Sequence, residues 1–261
     1  MSDEQAGFRP GRGTSDQIFT LSEILHFRKE AKDDTVCCFL DIKKAYDTTW
    51  REGVWKRLLD IEIDGKLWRV IRNLYAMVES CVLLGPTSTD WFPIDLGLRQ
   101  GDPLSCILYI IFLDGLVQEV KKAKEGVTIG TMKVNILLFA DDVVLIASSK
   151  KEMQRLLDIV HLYSRKWRFL FNVDKSKAVV FTAKRVHLDT TPLYLGLDRL
   201  VEEKSYKYLG VEFKSNLSWV LMRQRVLNKA RTRLALVSKG IASGLSPDAS
   251  LKMWHTLIQP F

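Results

Sequence analysis

The chain has 261 residues, 47% hydrophobic and 27% charged, a balance that excludes a disordered or collagen-like protein and leaves room for one large domain or two small ones. Lys and Arg outnumber Asp and Glu by 39 to 31, a formal charge of +8 that favours an anionic partner. The excess is uneven: residues 150–185 hold ten basic and three acidic side chains and residues 215–261 hold seven and one, whereas residues 1–35 hold five and seven.

Gly7 to Gly13 reads as a loop from its Gly and Pro content. Thr14 and Gln17 predict a capping box, and a helix follows with Ile18, Leu21 and Leu25 on one face. Thr35 to Ile42 is a short apolar, β-branched run, hence a strand, with Asp41 near its end. The next helix spaces Trp50, Val54, Trp55 and Leu58 for burial. Gly65 opens another, with Leu67, Val70, Ile71, Leu74, Tyr75 and Val78 at three- and four-residue intervals. Cys81 to Leu84 and Trp91 to Leu96 read as strands around a Gly-Pro turn. Pro103 stands where a helix can begin, and Leu104 to Val120 is strongly periodic. Thr128 to Val134 predicts a strand. Asn135 to Ala147 predicts two strands hinged at Asp141-Asp142. Met153, Leu156, Leu157, Val160, Tyr163 and Trp167 mark a further helix, Ala178 to Thr182 a strand, and Tyr206 to Phe213 a β segment around Gly210. Trp219 to Lys239 is a basic amphipathic helix, and Pro247 starts a last one ending near Gln259. Strands bearing acids alternate with helices, which predicts an α+β fold with an antiparallel sheet backed by helices. A domain boundary is expected near Phe213, where mixed β composition gives way to basic helix.

The longest apolar run, Cys106 to Leu113, falls short of the roughly 20 residues that span a bilayer, and no signal peptide opens the chain. No membrane partner and an intracellular location, nucleus or cytoplasm, are expected. Cys37, Cys38, Cys81 and Cys106 lack metal-site spacing and read as small buried hydrophobes. His26, His161, His187 and His255 are scattered and receive no role.

The carboxylates are the strongest chemical feature. Two adjacent acids at a sheet tip repel each other and lose hydration, and a bound divalent cation removes that cost. Hard oxygen donors suit Mg²⁺. An Asp-Asp pair is also ordinary turn chemistry, so this pair alone leaves both readings open.

Six blocks together change the weighting. They are Gln5-Ala6-Gly7-Phe8-Arg9-Pro10-Gly11-Arg12-Gly13, Phe39-Leu40-Asp41-Ile42-Lys43-Lys44-Ala45-Tyr46-Asp47, Gly97-Leu98-Arg99-Gln100-Gly101-Asp102-Pro103-Leu104-Ser105, Phe139-Ala140-Asp141-Asp142, Asn172-Val173-Asp174-Lys175-Ser176-Lys177 and Tyr206-Lys207-Tyr208-Leu209-Gly210. In order and spacing the chain resembles the reverse transcriptase domain of non-LTR (LINE-type) retrotransposons, and more distantly that of group II introns. The resemblance implies a right-hand polymerase palm with an antiparallel sheet backed by helices, partial fingers and the start of a helical thumb. It divides the chain into partial fingers (1–34), palm (35–213, with a fingers-like helical insertion about 43–96) and the start of a thumb (214–261).

The implied activity is RNA-directed DNA polymerisation: a DNA primer extended on an RNA template from deoxynucleoside triphosphates. The same resemblance implies two Mg²⁺ ions, with Mn²⁺ as a substitute, held by Asp41, Asp141 and the adjacent Asp142, with the Ile42 carbonyl as a backbone ligand. Tyr46 takes the position of a steric gate against a 2′ hydroxyl. Gln100 and Gly101 would meet the nascent base pair, Lys175 the triphosphate, and Tyr208-Leu209-Gly210 the primer end. Arg9 and Arg12 would contact phosphates, and Arg223, Arg225, Lys229, Arg231 and Arg233 would track the duplex backbone by charge. Asp47 reads as the start or cap of the next helix. Only four residues precede the Gln5 block, and the family's thumb continues past a segment resembling Leu257-Ile258-Gln259-Pro260-Phe261, so the resemblance implies a chain truncated at both ends, without the family's basic fingers hairpin. The alternative function is a catalytically inactive nucleic-acid-binding remnant of such an element.

Overall fold

The computed structural model of the chain describes residues 1–182, 189–242, 244 and 246–257. Its centre is the strand Thr35–Asp41, flanked antiparallel by Lys177–Phe181 on one side and Asp142–Ala147 on the other. Ile136–Phe139 completes one edge, and Val201–Glu202 forms the other. That last strand runs parallel to Lys177–Phe181. The sheet is therefore mixed, a correction to the wholly antiparallel sheet expected. A parallel neighbour needs a crossover of about a dozen residues or more, and residues 182–200 supply that length.

The strands read as continuous apolar runs because both faces of the sheet are covered. Val36, Cys38 and Leu40 join Val143, Leu145, Ala178 and Val180 in one core. Cys37 and Phe39 join Val144, Ile146, Val179 and Phe181 in the other. A side-chain period of two distributes each strand between the two cores, and each fully buried Leu, Ile or Phe contributes about 1.5–3 kcal/mol.

Helices α1 (Thr14–Glu30), α2 (Arg51–Asp60), α3 (Gly65–Leu74), α4 (Pro103–Lys121), α5 (Lys150–Lys166), α6 (Val220–Ala242) and α7 (Pro247–Leu257) follow in chain order. Buried residues of α2, α4 and α5 build the first core. Leu21, Ile24 and Leu25 of α1 pack into the second, beside Tyr208 and Phe213. Pro103 opens α4, and the Asp102 carboxylate caps it by accepting from the Leu104 N–H at 2.9 Å. By length and composition alone α4 is apolar enough to cross a membrane, and 67% of its most apolar window is buried inside the protein.

Several local expectations shift. Gly13, not Thr14, caps α1: the Asp16 carboxylate accepts from the Gly13 N–H at 2.7 Å, while Gln17 is buried and donates to the Glu4 carbonyl. Instead of one strand over 128–134, residues 127–134 form a hairpin, Val127–Ile129 with Met132–Val134, turning where Gly130 adopts φ 59°. The segment around Gly85-Pro86 makes two short ladders, Leu83–Leu84 with Thr87–Ser88 and Glu79–Ser80 with Phe92–Pro93. On α3 only Ile71 is buried, while Leu67, Val70 and Leu74 lie open. Cys37 and Cys38 are buried as expected, but Cys81 and Cys106 are only half-buried, and all four are free thiols. Two elements had no strong pattern in sequence, the hairpin Tyr194–Leu195 with Asp198–Arg199 and the edge strand Val201–Glu202. His187 and residues 258–261, including the end placed at Gln259, lie outside the described residues.

Candidate active site

Asp41 ends the central strand, and Asp142 begins the neighbouring one directly opposite it. The turn lies at Ala140-Asp141, one residue earlier than expected. Ala140 makes it with φ 56°, a left-handed conformation that is uncommon outside glycine. Asp142 then follows the alternation of Val144 and Ile146 towards the second core, as Asp41 follows Phe39. Asp141 stands on the turn itself.

Burial raises the Asp142 carboxyl to about 6, helped by Asp141 and Asp41. Burial also pushes Asp141 up, with Asp41 adding to it and Lys175 opposing it. Burial first, and then Asp142, pushes the Tyr206 and Tyr208 phenols up; burial first, and then Asp141, pushes the Tyr109 phenol up. Asp41 and Asp142 are paired across the ladder, and Asp141 precedes Asp142 on the turn. Among the described residues no three Asp, Glu, His or Cys side chains already enclose a metal position. The donors are nonetheless hard oxygens, partly buried and mutually repelling, which is the set a divalent cation relieves. The main-chain groups of Asp41 face the 172–176 turn: its carbonyl accepts from the Asn172 N–H at 2.7 Å, and its N–H donates to Ser176 Oγ at 3.2 Å. Those of Ile42 then face the other side, towards Asp141.

The turn after Asn172 is wound tightly. Ser176 is fully buried and donates to the Asn172 carbonyl at 2.8 Å. This geometry delivers Lys175 to the site, its Nζ 3.7 Å from Asp41 Oδ2. Tyr46 stacks on Tyr109 with centroids 4.8 Å apart. Burial first, then the Cys106 thiol and Asp141, pushes the Tyr46 phenol up. Tyr46 thus packs against α4 through Tyr109.

Gln100 is exposed, and its amide donates to Asp47 Oδ1 at 2.7 Å. Asp47 is not a helix cap, since Trp50 occupies that position for α2. Gly101 adopts φ 84° with open space around it, so it is required for its conformation. The close backbone approach is at Gly97 instead: a Cβ there would stand 2.6 Å from the Asp47 carbonyl oxygen and 2.8 Å from that of Tyr46.

On the other flank, Ser205–Tyr208 and Val211–Lys214 form a hairpin turning at Leu209 (φ 45°) and Gly210 (φ 90°). Tyr208 is buried against Phe39 and Phe213, so Leu209 and Gly210 form the tip and Tyr208 is its anchor. Arg9 is half-buried and donates to the Ser2 and Gln5 carbonyls. Arg12 is exposed, 3.5 Å from Asp3. On α6, Arg223, Lys229 and Arg231 are exposed, Arg225 pairs with Glu212, and Arg233 is half-buried. The structure thus gathers Asp41, Asp141, Asp142, Ile42, Tyr46, Lys175 and the hairpin at one end of the sheet. Arg9 and Arg12 remain in the N-terminal turn, and the basic residues of α6 lie on the helix beyond Trp219.

Three framework residues had no assigned role in the sequence. Gln5 is fully buried and bonds to Ala140: its Oε1 accepts from the Ala140 N–H at 2.9 Å and from the Gly7 N–H at 2.8 Å, and its Nε2 donates to the Ala140 carbonyl at 3.2 Å. Gly7 lies so close that a Cβ would be 2.2 Å from the Ala140 nitrogen. Arg51 is buried and donates to the carbonyls of Gly97 at 2.8 Å and Ile94 at 2.6 Å, with a longer bond to Tyr75. A buried glutamine in a loop block and an arginine held by loop carbonyls have no hydrophobic period to betray them.

The family described as "Reverse transcriptase (RNA-dependent DNA polymerase)" matches residues 1–213. The chain is 25% identical over 264 residues to the RNA-directed DNA polymerase from mobile element jockey of Drosophila funebris, covering 98% of this chain and 28% of that protein. It is 25% identical over 232 residues to a Pol polyprotein of the retrotransposable element R2 from Nasonia vitripennis, covering 82% of this chain and 22% of that one. The chain therefore spans under a third of the length of these relatives. Among solved structures, the telomerase from Candida albicans in complex with a TWJ fragment of telomeric RNA superposes with a TM-score of 0.55 at 13% identity, covering 79% of this chain and 33% of that one, a likeness of fold. With the family match covering residues 1–213 of 261, the chain belongs to the reverse transcriptase family, and its relatives are the reverse transcriptases of non-LTR retrotransposons such as jockey and R2.

Proposed function

We propose that the chain is the polymerase core of a mobile element, extending a DNA primer on an RNA template with deoxynucleoside triphosphates. The observation that carries this reading is the gathering of Asp41, Asp141 and Asp142 at one end of the sheet, with Lys175 3.7 Å from Asp41 and Tyr46 stacked on Tyr109 of α4. Asp41, Asp141 and the Ile42 carbonyl would hold Mg²⁺, with Asp142 alongside; when bound, the two ions activate the primer hydroxyl and stabilise the leaving pyrophosphate.

The chain's own residues do the remaining work. Lys175 neutralises Asp41 and is placed to meet an anionic triphosphate. The Tyr46 ring limits the space beside Asp141, which disfavours a 2′ hydroxyl. The Leu209-Gly210 tip meets the primer end. The exposed cations of α6 attract the duplex backbone through charge. In this reading residues 1–34 belong to the fingers, 35–213 to the palm and 214–261 to the thumb, and the protein works in the nucleus or cytoplasm.

Primer extension tests it. The purified chain, given an RNA template, a DNA primer and deoxynucleotides, is expected to incorporate only with Mg²⁺ or Mn²⁺. Salt-sensitive binding with no incorporation at any metal concentration would instead identify a non-catalytic nucleic-acid-binding remnant.

A further inference from the structure

We infer that Gln5 is the positioning residue for Asp141. The inference rests on the polymerase reading and deepens it, naming a group outside the catalytic strands that sets the aim of one acid. Ala140 is the residue on which that aim turns. It holds φ 56° between the end of one strand and Asp141, so a return to ordinary backbone geometry would swing Asp141 away from Asp41.

The Gln5 side chain opposes that return directly. Its amide takes both main-chain groups of Ala140, the N–H at 2.9 Å and the carbonyl at 3.2 Å, as a neighbouring strand would. The clamp is itself fixed. The Gly7 N–H, at 2.8 Å, orients the amide oxygen. The Ala6 N–H donates to the Leu138 carbonyl at 2.9 Å, and the Leu138 N–H donates to the Glu4 carbonyl at 2.9 Å. Arg9 closes the turn from behind through the Gln5 carbonyl at 3.1 Å. Gly7 lies against Ala140 at a distance no side chain would permit. An amide donor and acceptor in one planar group is what the paired N–H and C=O of Ala140 require.

Two variants separate positioning from mere packing. Gln5→Met keeps the length and removes all three bonds. Gln5→Glu keeps the shape and the two accepted N–H bonds, but sets an oxygen against the Ala140 carbonyl in place of the donor. Three quantities are read: Mn²⁺ affinity by electron paramagnetic resonance, the rate and KM of single-nucleotide incorporation, and the melting temperature. The expected result is an incorporation rate about 100-fold lower for Gln5→Met and about tenfold lower for Gln5→Glu, with Mn²⁺ affinity reduced about tenfold and KM for the nucleotide within about twofold of wild type. If Gln5→Met does not fold, Gln5→Glu decides. A lowered melting temperature with wild-type rate and Mn²⁺ affinity would overturn the inference. If the wild-type chain binds Mn²⁺ but does not incorporate, the polymerase reading fails alone and Mn²⁺ affinity still decides the role of Gln5. If the wild type does not bind Mn²⁺, both fall.

Discussion

Asp41 and Asp142 occupy opposing positions of one antiparallel ladder, so two carboxylates share a face at the end of the sheet. Burial first, then the carboxylates of Asp141 and Asp41, raises the Asp142 carboxyl to about 6, and like charges directly opposite destabilise a sheet. The sign follows from which state releases its proton first. An unfolded Asp ionises near 4, so between roughly pH 4 and 6 the unfolded chain loses its proton before the folded one does. The Asp142 contribution to folding stability is therefore present below about pH 4 and lost as pH rises through that window. Asp142→Asn removes the effect. Thermal unfolding in metal-free buffer is expected to show a difference between variant and wild type that opens from pH 4 to 6 and favours the variant at pH 7.5. Added Mg²⁺ is expected to narrow it.

Tyr46 stacks on Tyr109 beside Asp141. Replacing the ring with alanine opens the space that a 2′ hydroxyl would fill, while phenylalanine keeps it. The preference for deoxynucleotides over ribonucleotides, measured as a ratio of kcat/KM, is expected to fall at least about tenfold in Tyr46→Ala and to stay near wild type in Tyr46→Phe.

Arg51 ties the loop before Gln100 to α2 by donating to the carbonyls of Gly97 and Ile94. Arg51→Met strands the buried Gly97 carbonyl and the partly buried Ile94 carbonyl and is expected to cost about 3 kcal/mol, read as a lowered melting temperature. Arg51→Lys should not restore it, because one ammonium cannot span the fork of a guanidinium.

The central sheet was legible because its strands are buried on both faces and read as unbroken apolar runs, with the acids where those runs end. Tyr208 was legible as a motif residue but not as an anchor: its ring is buried between Phe39 and Phe213, and the turn it supports does the presenting. The Val201–Glu202 strand escaped because two residues at a sheet edge have no period to detect. Gln5 escaped for a different reason. Its burial depends on Ala140, which lies 135 positions further along the chain, and no local pattern encodes that meeting.

On α6, Arg223 and Lys229 are exposed while Arg225 pairs with Glu212. Arg223→Glu and Lys229→Glu are each expected to weaken binding to an RNA–DNA duplex and to reduce the slope of log affinity against log salt by about one. Arg225→Glu is expected to change the slope less, its charge being already committed. Fluorescence anisotropy across a salt series measures all three.

The most direct measurement is the rate of single-nucleotide incorporation by Asp41→Asn and Asp141→Asn beside wild type, at saturating Mg²⁺, with folding verified for each. Loss of either side chain is expected to slow incorporation by more than about 100-fold, since even outer partners of a metal are worth 10–100-fold. Incorporation at the wild-type rate by either folded variant would contradict the assignment of these acids as the metal-holding pair.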